Sequence, residues 1–184
     1  MIYIEENGLR FEINQENFTS KIIFSPNSKG NIVIPQSINY NSKEYKISTI
    51  CEGSFKNNKR IKSIEFTEDS ELLSIEKDAF YCSSLQSISI PASLIELQEC
   101  WCAFTLNLYQ ISISTNNKNF SILDDKIIIG KSNPTMNTKY DILIFACRYI
   151  STVSIPASIK RISSYAFNGC MQLQTIEIPE DSEL

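Results

Sequence analysis

The sequence predicts a mainly-β solenoid, with a parallel sheet on a concave face, short turns or 3-10 segments behind it, and a β-hairpin insertion. Three observations carry this reading. An internal pattern recurs: "LLSIEKDAFYCSSLQSISIP" (72–91) matches "IKRISSYAFNGCMQLQTIEIP" (159–179) nearly position for position. Each copy ends in Ile-x-Ile alternation, which suits a short strand buried on one face. Proline closes several of these segments, at Pro35, Pro91, Pro156 and Pro179, and a residue with no N–H ends a strand there.

Residues 1–46 read as an N-terminal β cap. "IYIEENGLRFEI" alternates apolar and polar residues around Asn7-Gly8, a strong hairpin signal. A cap of this kind covers the apolar face of the first repeat, as the end of a solenoid requires. "NIVIP" (31–35) reads as a further strand.

Residues 47–113 hold three repeats. The unit is an apolar pair spaced i, i+3, then a small residue plus Phe, then L-x-x-I-x-I. Its copies are 47–66, 72–91, 94–113 and, later, 159–179. Phe55, Phe80 and Phe104 mark the first three and lie 25 and 24 residues apart, within the roughly 20–29 residue period of leucine-rich repeats. Strand centres fall near Val33, Glu65, Ser89, Ser112, Ser154 and Glu177, and parallel stacking sets them about 4.8 Å apart. Ala79, Ala103 and Ala166 are small enough for close approach. Phe55, Phe80, Phe104 and Phe167 are then expected to stack as one inner spine. The third copy departs from the unit, with two extra residues before its Phe in "LQECWCAF".

Residues 114–149 interrupt the array. The runs "KIIIG" and "DILIFAC" flank a polar tract and predict a β-hairpin, with "LDDK" a turn before its first strand. Repeats resume over 150–184. "EDSEL" occurs at 68–72, where it leads into the next repeat, and again at 180–184. The second occurrence suggests a truncated array with an open apolar edge, which invites self-association.

Composition limits the chemistry. The 184 residues are enough for one domain with a core, and the net charge of −4 gives no basic field for nucleic acid or acidic membranes. No apolar run approaches the length of about 18 residues that a membrane span needs, and the first residues lack the apolar core of a secretory signal. There is no histidine, which removes Ser-His-Asp and Cys-His catalysis and His-based zinc sites. No phosphate-binding glycine motif is present. The acids cluster in turns (Glu68, Asp69, Glu71; Asp124, Asp125; Glu180, Asp181, Glu183) and read as solvated linker charge. No catalytic residue, metal site or cofactor is expected, and the chain is not read as an enzyme.

Cys82 and Cys170 precede Leu85 and Leu173 by three residues and read as small buried hydrophobes. Cys100-Trp101-Cys102 lacks the second pair that a tetrahedral metal site requires. Disulfide pairing cannot be read from the spacing. Asn17-Phe18-Thr19 and Asn119-Phe120-Ser121 are glycosylation sequons, with meaning only in a secreted chain.

"IEKDAFYCSSLQSISIP" and "ISSYAFNGCMQLQTIEIP" resemble the BspA-type leucine-rich repeat, with its Ala-Phe-x-x-Cys core, over roughly residues 30–184. The resemblance implies a surface protein of bacteria or of parasitic protists such as Trichomonas, used in adhesion. It therefore implies a cell-surface or extracellular location.

The expected binding surface is the concave sheet. Its outward columns are Asn31, Ser63, Ser87, Gln110, Thr152, Thr175 and Val33, Glu65, Ser89, Ser112, Ser154, Glu177. From Ser63 and Glu65 onward these are the candidate ligand contacts, facing a protein or glycan. Tyr109 and Trp101 are the aromatic candidates for an anchor, and either could equally be core.

Overall fold

The computed structural model describes residues 1–135 and 139–184. The polar tract predicted inside the insertion includes 136–138, which lie outside the described residues.

The cap begins with β1 (Ile2–Glu6) and β2 (Leu9–Asn14), an antiparallel hairpin. Asn7 and Gly8 join them with φ of 52° and 79°, the left-handed pair that a tight hairpin turn demands. Leu9, Phe11 and Ile13 point inward, while Arg10 and Asn14 face solvent. β3 (Thr19–Ile23) pairs antiparallel with β2 on one side and parallel with a later strand on the other, so the cap sheet runs directly into the repeats.

The repeats then build two ladders. β4 (Gly30–Ile34) opens a front sheet. β5 (Ser37–Tyr40) and β6 (Lys43–Ile50) form a hairpin, and β6 is the parallel partner of β3. After these come β7 (Ile61–Phe66), β8 (Ser74–Ile75), β9 (Ser87–Ile90), β10 (Glu96–Leu97) and β11 (Gln110–Ile113). The front sheet runs β4-β7-β9-β11, all parallel, with Ser63 opposite Ser87 and Ser87 opposite Gln110.

Behind it, β6, β8 and β10 form a second parallel ladder, with Ile50, Ile75 and Leu97 in one row. Turns occupy the back as expected, and no 3-10 segment occurs among the described residues. The second ladder is the feature the sequence reading lacked. Its registered residues Ile50, Ile75 and Leu97 are the second members of the apolar pairs Ile47/Ile50, Leu72/Ile75 and Leu94/Leu97. Strands of two residues are too short to show a period in sequence.

The insertion is larger than the expected hairpin. β12 (Phe120–Leu123), β13 (Ile127–Gly130) and β14 (Ile142–Ala146) form an antiparallel meander. Asp124 and Asp125, with φ of 51° and 54°, join β12 to β13. "LDDK" is therefore the turn between two strands rather than a turn before the first. Gly130 sits close under Ile144: a Cβ there would clash with Ile144 Cδ1, and that side chain would have to shift.

The repeats resume with β15 (Thr152–Ser154), β16 (Arg161–Ile162) and β17 (Thr175–Glu177). β16 pairs in parallel with β14, which ties the insertion to the back of the solenoid. β15 pairs in parallel with β17, and no ladder joins β11 to β15. The front is thus a four-stranded and a two-stranded sheet rather than one continuous platform.

The expected spine of four phenylalanines is corrected. Phe55 and Phe80 stack with centroids 5.1 Å apart and planes 5° apart. Phe80 then meets Trp101 edge-on at 6.0 Å, and Trp101 meets Phe145 at 5.8 Å. Phe104 leaves the core and is 39% exposed. The reason is the pair of extra residues in the third copy. Phe55 N–H donates to Ala79 O and Phe80 N–H to Trp101 O, so Trp101 occupies the Ala79 position and Cys102 the Phe80 position. The left-handed residues confirm this register, since Asn57, Cys82 and Phe104 are equivalent. The indole fills the space a phenyl ring would have taken. Phe167 is only partly buried, against the edge of the core.

Candidate ligand-binding face

The front sheet places the predicted contacts in register. Ile64, Ile88 and Ile111 point into the core, and alternation sends Ser63, Glu65, Ser87, Ser89, Gln110 and Ser112 to the other face. Asn31 lies opposite Ser63, Val33 opposite Glu65, and Ser89 opposite Ser112. In the second sheet, Thr152 lies opposite Thr175 and Ser154 opposite Glu177, all four exposed. Each column is thus straight within its sheet but broken between β11 and β15. Ser63 is shielded by its neighbours; the others are half-buried or exposed.

Two adjoining depressions lie over β7, β9 and β11. The larger, about 570 Å³, sits at the carboxyl ends of the strands, and Thr67, Glu68, Pro91 and Asn116 line it. The smaller, about 330 Å³, is lined by Glu65, Ser87 and Gln110 among others. Phe66, Ser89 and Ser112 line both, so the two form one trough across three strands. Thr67 Oγ1 is buried without a hydrogen-bond partner. Sequence reasoning missed Phe66, Thr67, Glu68 and Asn116. The first "EDSEL" was the available signal, but it reads as linker charge until the fold sets it at the rim of the trough.

The aromatic candidates separate. Trp101 is 2% exposed and belongs to the spine. Tyr109 is exposed at the amino end of β11, away from the trough lining. Of the sequon asparagines, Asn17 is exposed, whereas Asn119 is half-buried and donates to Leu94 O at 3.3 Å.

All six cysteines are free. Cys82 and Cys170 are half-buried rather than fully buried, and they are not equivalent: Ser83 and Cys170 both donate to the turn's Phe carbonyl, so Gly169 adds a residue. Burial pushes the Cys102 thiol up to about 12, partly offset by Arg148, and the Cys147 thiol up to about 11. Both are therefore protonated structural thiols. Among the described residues no group of three or more His, Cys, Asp or Glu is arranged to hold a metal.

Arg148 sits between the thiols of Cys102 and Cys170 and is 6% exposed. It donates to Ala146 O at 3.3 Å and Ala166 O at 3.2 Å, and approaches Cys102 Sγ at 3.9 Å and Cys170 Sγ at 4.0 Å. Its guanidinium lies 4.2 Å from the Phe145 ring centroid. This side chain joins the third turn, the insertion and the last turn into one core. Exposed contacts reinforce the same junction, with Glu99 paired to Arg161 and accepting from Ser164, and Phe104 N–H donating to Asn168 Oδ1.

The family model for the BspA type leucine rich repeat region matches residues 30–123 and 134–183, in six copies. A leucine rich cell surface protein from Faecalibacterium prausnitzii A2-165 has the same fold, with 15% identity and a TM-score of 0.50 over 99% of this chain and 72% of that one. The pneumococcal vaccine antigen PcpA is 14% identical with a TM-score of 0.42, over 98% of this chain and 65% of its own. A leucine-rich repeat protein from Eubacterium ventriosum is 14% identical with a TM-score of 0.49, over 96% of this chain and 59% of its own. No curated protein matches the chain.

Proposed function

Since the chain belongs to the BspA-type leucine-rich repeat family, we propose that it is a non-enzymatic adhesion module that binds a protein or glycan through its front sheet. The family supports a protein-interaction scaffold; the choice of face rests on one observation. On β9 and β11 the front residues Ser87, Ser89, Gln110 and Ser112 are hydroxyl and amide side chains in straight register at an open trough. Small side chains leave room for a ligand to lie against the four-stranded part of the front, and repeat proteins bind through surfaces of this kind. A location at the cell surface follows the same resemblance, and the F. prausnitzii neighbour is described as a cell surface protein.

The test is capture from a host-cell lysate, or on a glycan array, with the chain and its Ser89→Arg and Ser112→Arg variants. A ligand retained by the chain and lost by both variants supports the front face. A ligand held equally by all three would reject it.

A second reading is favoured by the exposed Ile176 and Ile178, at and just beyond β17. An array that self-associates through this edge would show an apparent mass by light scattering that rises with concentration, and Ile178→Lys would suppress the rise.

A further inference from the structure

We infer that the trough over β7, β9 and β11 takes an extended protein segment bearing lysine or arginine. This rests on the reading of the front sheet as the binding face and adds the chemistry of the partner.

Charge is the first argument. Glu65 lines the smaller depression and Glu68 the larger, and neither depression is lined by a lysine or arginine. Both carboxylates are exposed, and neither takes part in an ion pair or side-chain hydrogen bond among the described residues. Their neighbour Glu71, by contrast, is already satisfied by Lys46 and Gln36. The trough therefore presents two uncompensated negative charges to whatever lies in it. An anionic ligand is repelled and a cationic one drawn in.

Shape is the second. The trough crosses three parallel strands, a width of about 10 Å between the outer two. Ser89 and Ser112 stand side by side at its centre, where short hydroxyls can donate to or accept from a peptide backbone.

The lining also separates a peptide from a neutral sugar. A saccharide site is expected to offer an open aromatic face, and the one ring in the lining, Phe66, is half-buried and packed against the core. Tyr109 lies outside the lining. The charged groups in the lining are carboxylates alone, beside serine hydroxyls and the amides of Gln110 and Asn116, which suits an ammonium or guanidinium on an extended chain.

The experiment uses the full chain and fluorescence anisotropy. The probes are labelled Gly-Ser peptides carrying three lysines, three glutamates or no charge, at low and high salt. The lysine peptide is expected to bind tightest and to weaken as salt rises. The Glu65→Gln/Glu68→Gln double variant should reduce its affinity about tenfold, the sum of two partly exposed charge contacts. Ser112→Arg should abolish it. A lysine peptide that binds no tighter than the uncharged one, or that ignores the double variant, overturns the proposal. Neutral oligosaccharides provide the separating arm. Saccharide binding blocked by Ser112→Arg but untouched by the double variant would overturn the cationic partner and leave the front face standing. Lysine-peptide binding that survives Ser112→Arg would overturn the front face itself.

Discussion

The copies at 72–91 and 159–179 carry nearly the same motif, yet they end in different surroundings. In the first, Ile88 and Ile90 of the Ile-x-Ile segment are each 2% exposed; in the second, Ile176 is 43% and Ile178 53% exposed. β9 lies between β7 and β11, whereas β17 pairs with β15 alone. The rings differ in the same way: Phe80 is sealed between Phe55 and Trp101, while Phe167 is only partly buried. The same residues in the same pattern gain or lose burial according to what stacks beside them. In a solenoid, a unit's apolar face is desolvated by its neighbours rather than by its own fold.

The sharpest test of that contrast is truncation of the two rings. Phe80→Ala should cost about 4 kcal/mol in urea unfolding, the range for a fully buried phenyl, and Phe167→Ala less than half of that. Equal losses would show that the ring's own turn, and not its neighbours, supplies the stabilisation.

The strands give a smaller effect of the same kind. Ile88→Ala should destabilise by about 3 kcal/mol and Ile176→Ala by about 1 kcal/mol or less, read from the urea midpoint at constant slope. A larger loss at Ile176 would reverse the comparison.

The smallest effect, as read near pH 9, concerns the junction between the blocks, where Cys102 and Cys147 are buried. Their folded thiols are pushed up to about 12 and about 11, mainly by burial, from an ordinary value of 9.0. The unfolded chain ionises first, so the stability these thiols contribute is full below pH 9. It falls as pH rises toward the folded values. For Cys102 the loss at pH 9 is a few tenths of a kcal/mol, growing with pH. Urea midpoints under reducing conditions should therefore decline above pH 9, with a shallower slope for Cys102→Ala/Cys147→Ala. Cys51, also raised to about 11 by burial, keeps part of the slope. A midpoint indifferent to pH up to 10.5 would contradict the burial of these thiols.

Much of this molecule was legible in its residues. The repeated unit, the closing prolines and the Ile-x-Ile alternation determine the parallel front strands and the side of each that faces out. The registers Ser87 to Gln110 and Thr152 to Thr175 agree with the alignment of the repeated unit. Asn7-Gly8 determines the cap hairpin, because the left-handed turn it forms excludes most other residues.

Other features depended on contacts between residues far apart in the chain. Two strands of the back ladder, β8 and β10, are two residues long and have no period of their own. The spine turns at Trp101 because the two extra residues carry Phe104 two positions past the place Phe80 holds, and only the hydrogen bonds to the turn before it reveal which residue stands there. The insertion's third strand, the burial of Arg148 between two turns, and the gap between β11 and β15 all arise where the stacking of one unit on another is interrupted. Alternation is a property of a single strand and can be read within it, whereas burial, register across an irregular repeat and the continuity of a sheet belong to pairs of units, which come together only in the folded chain.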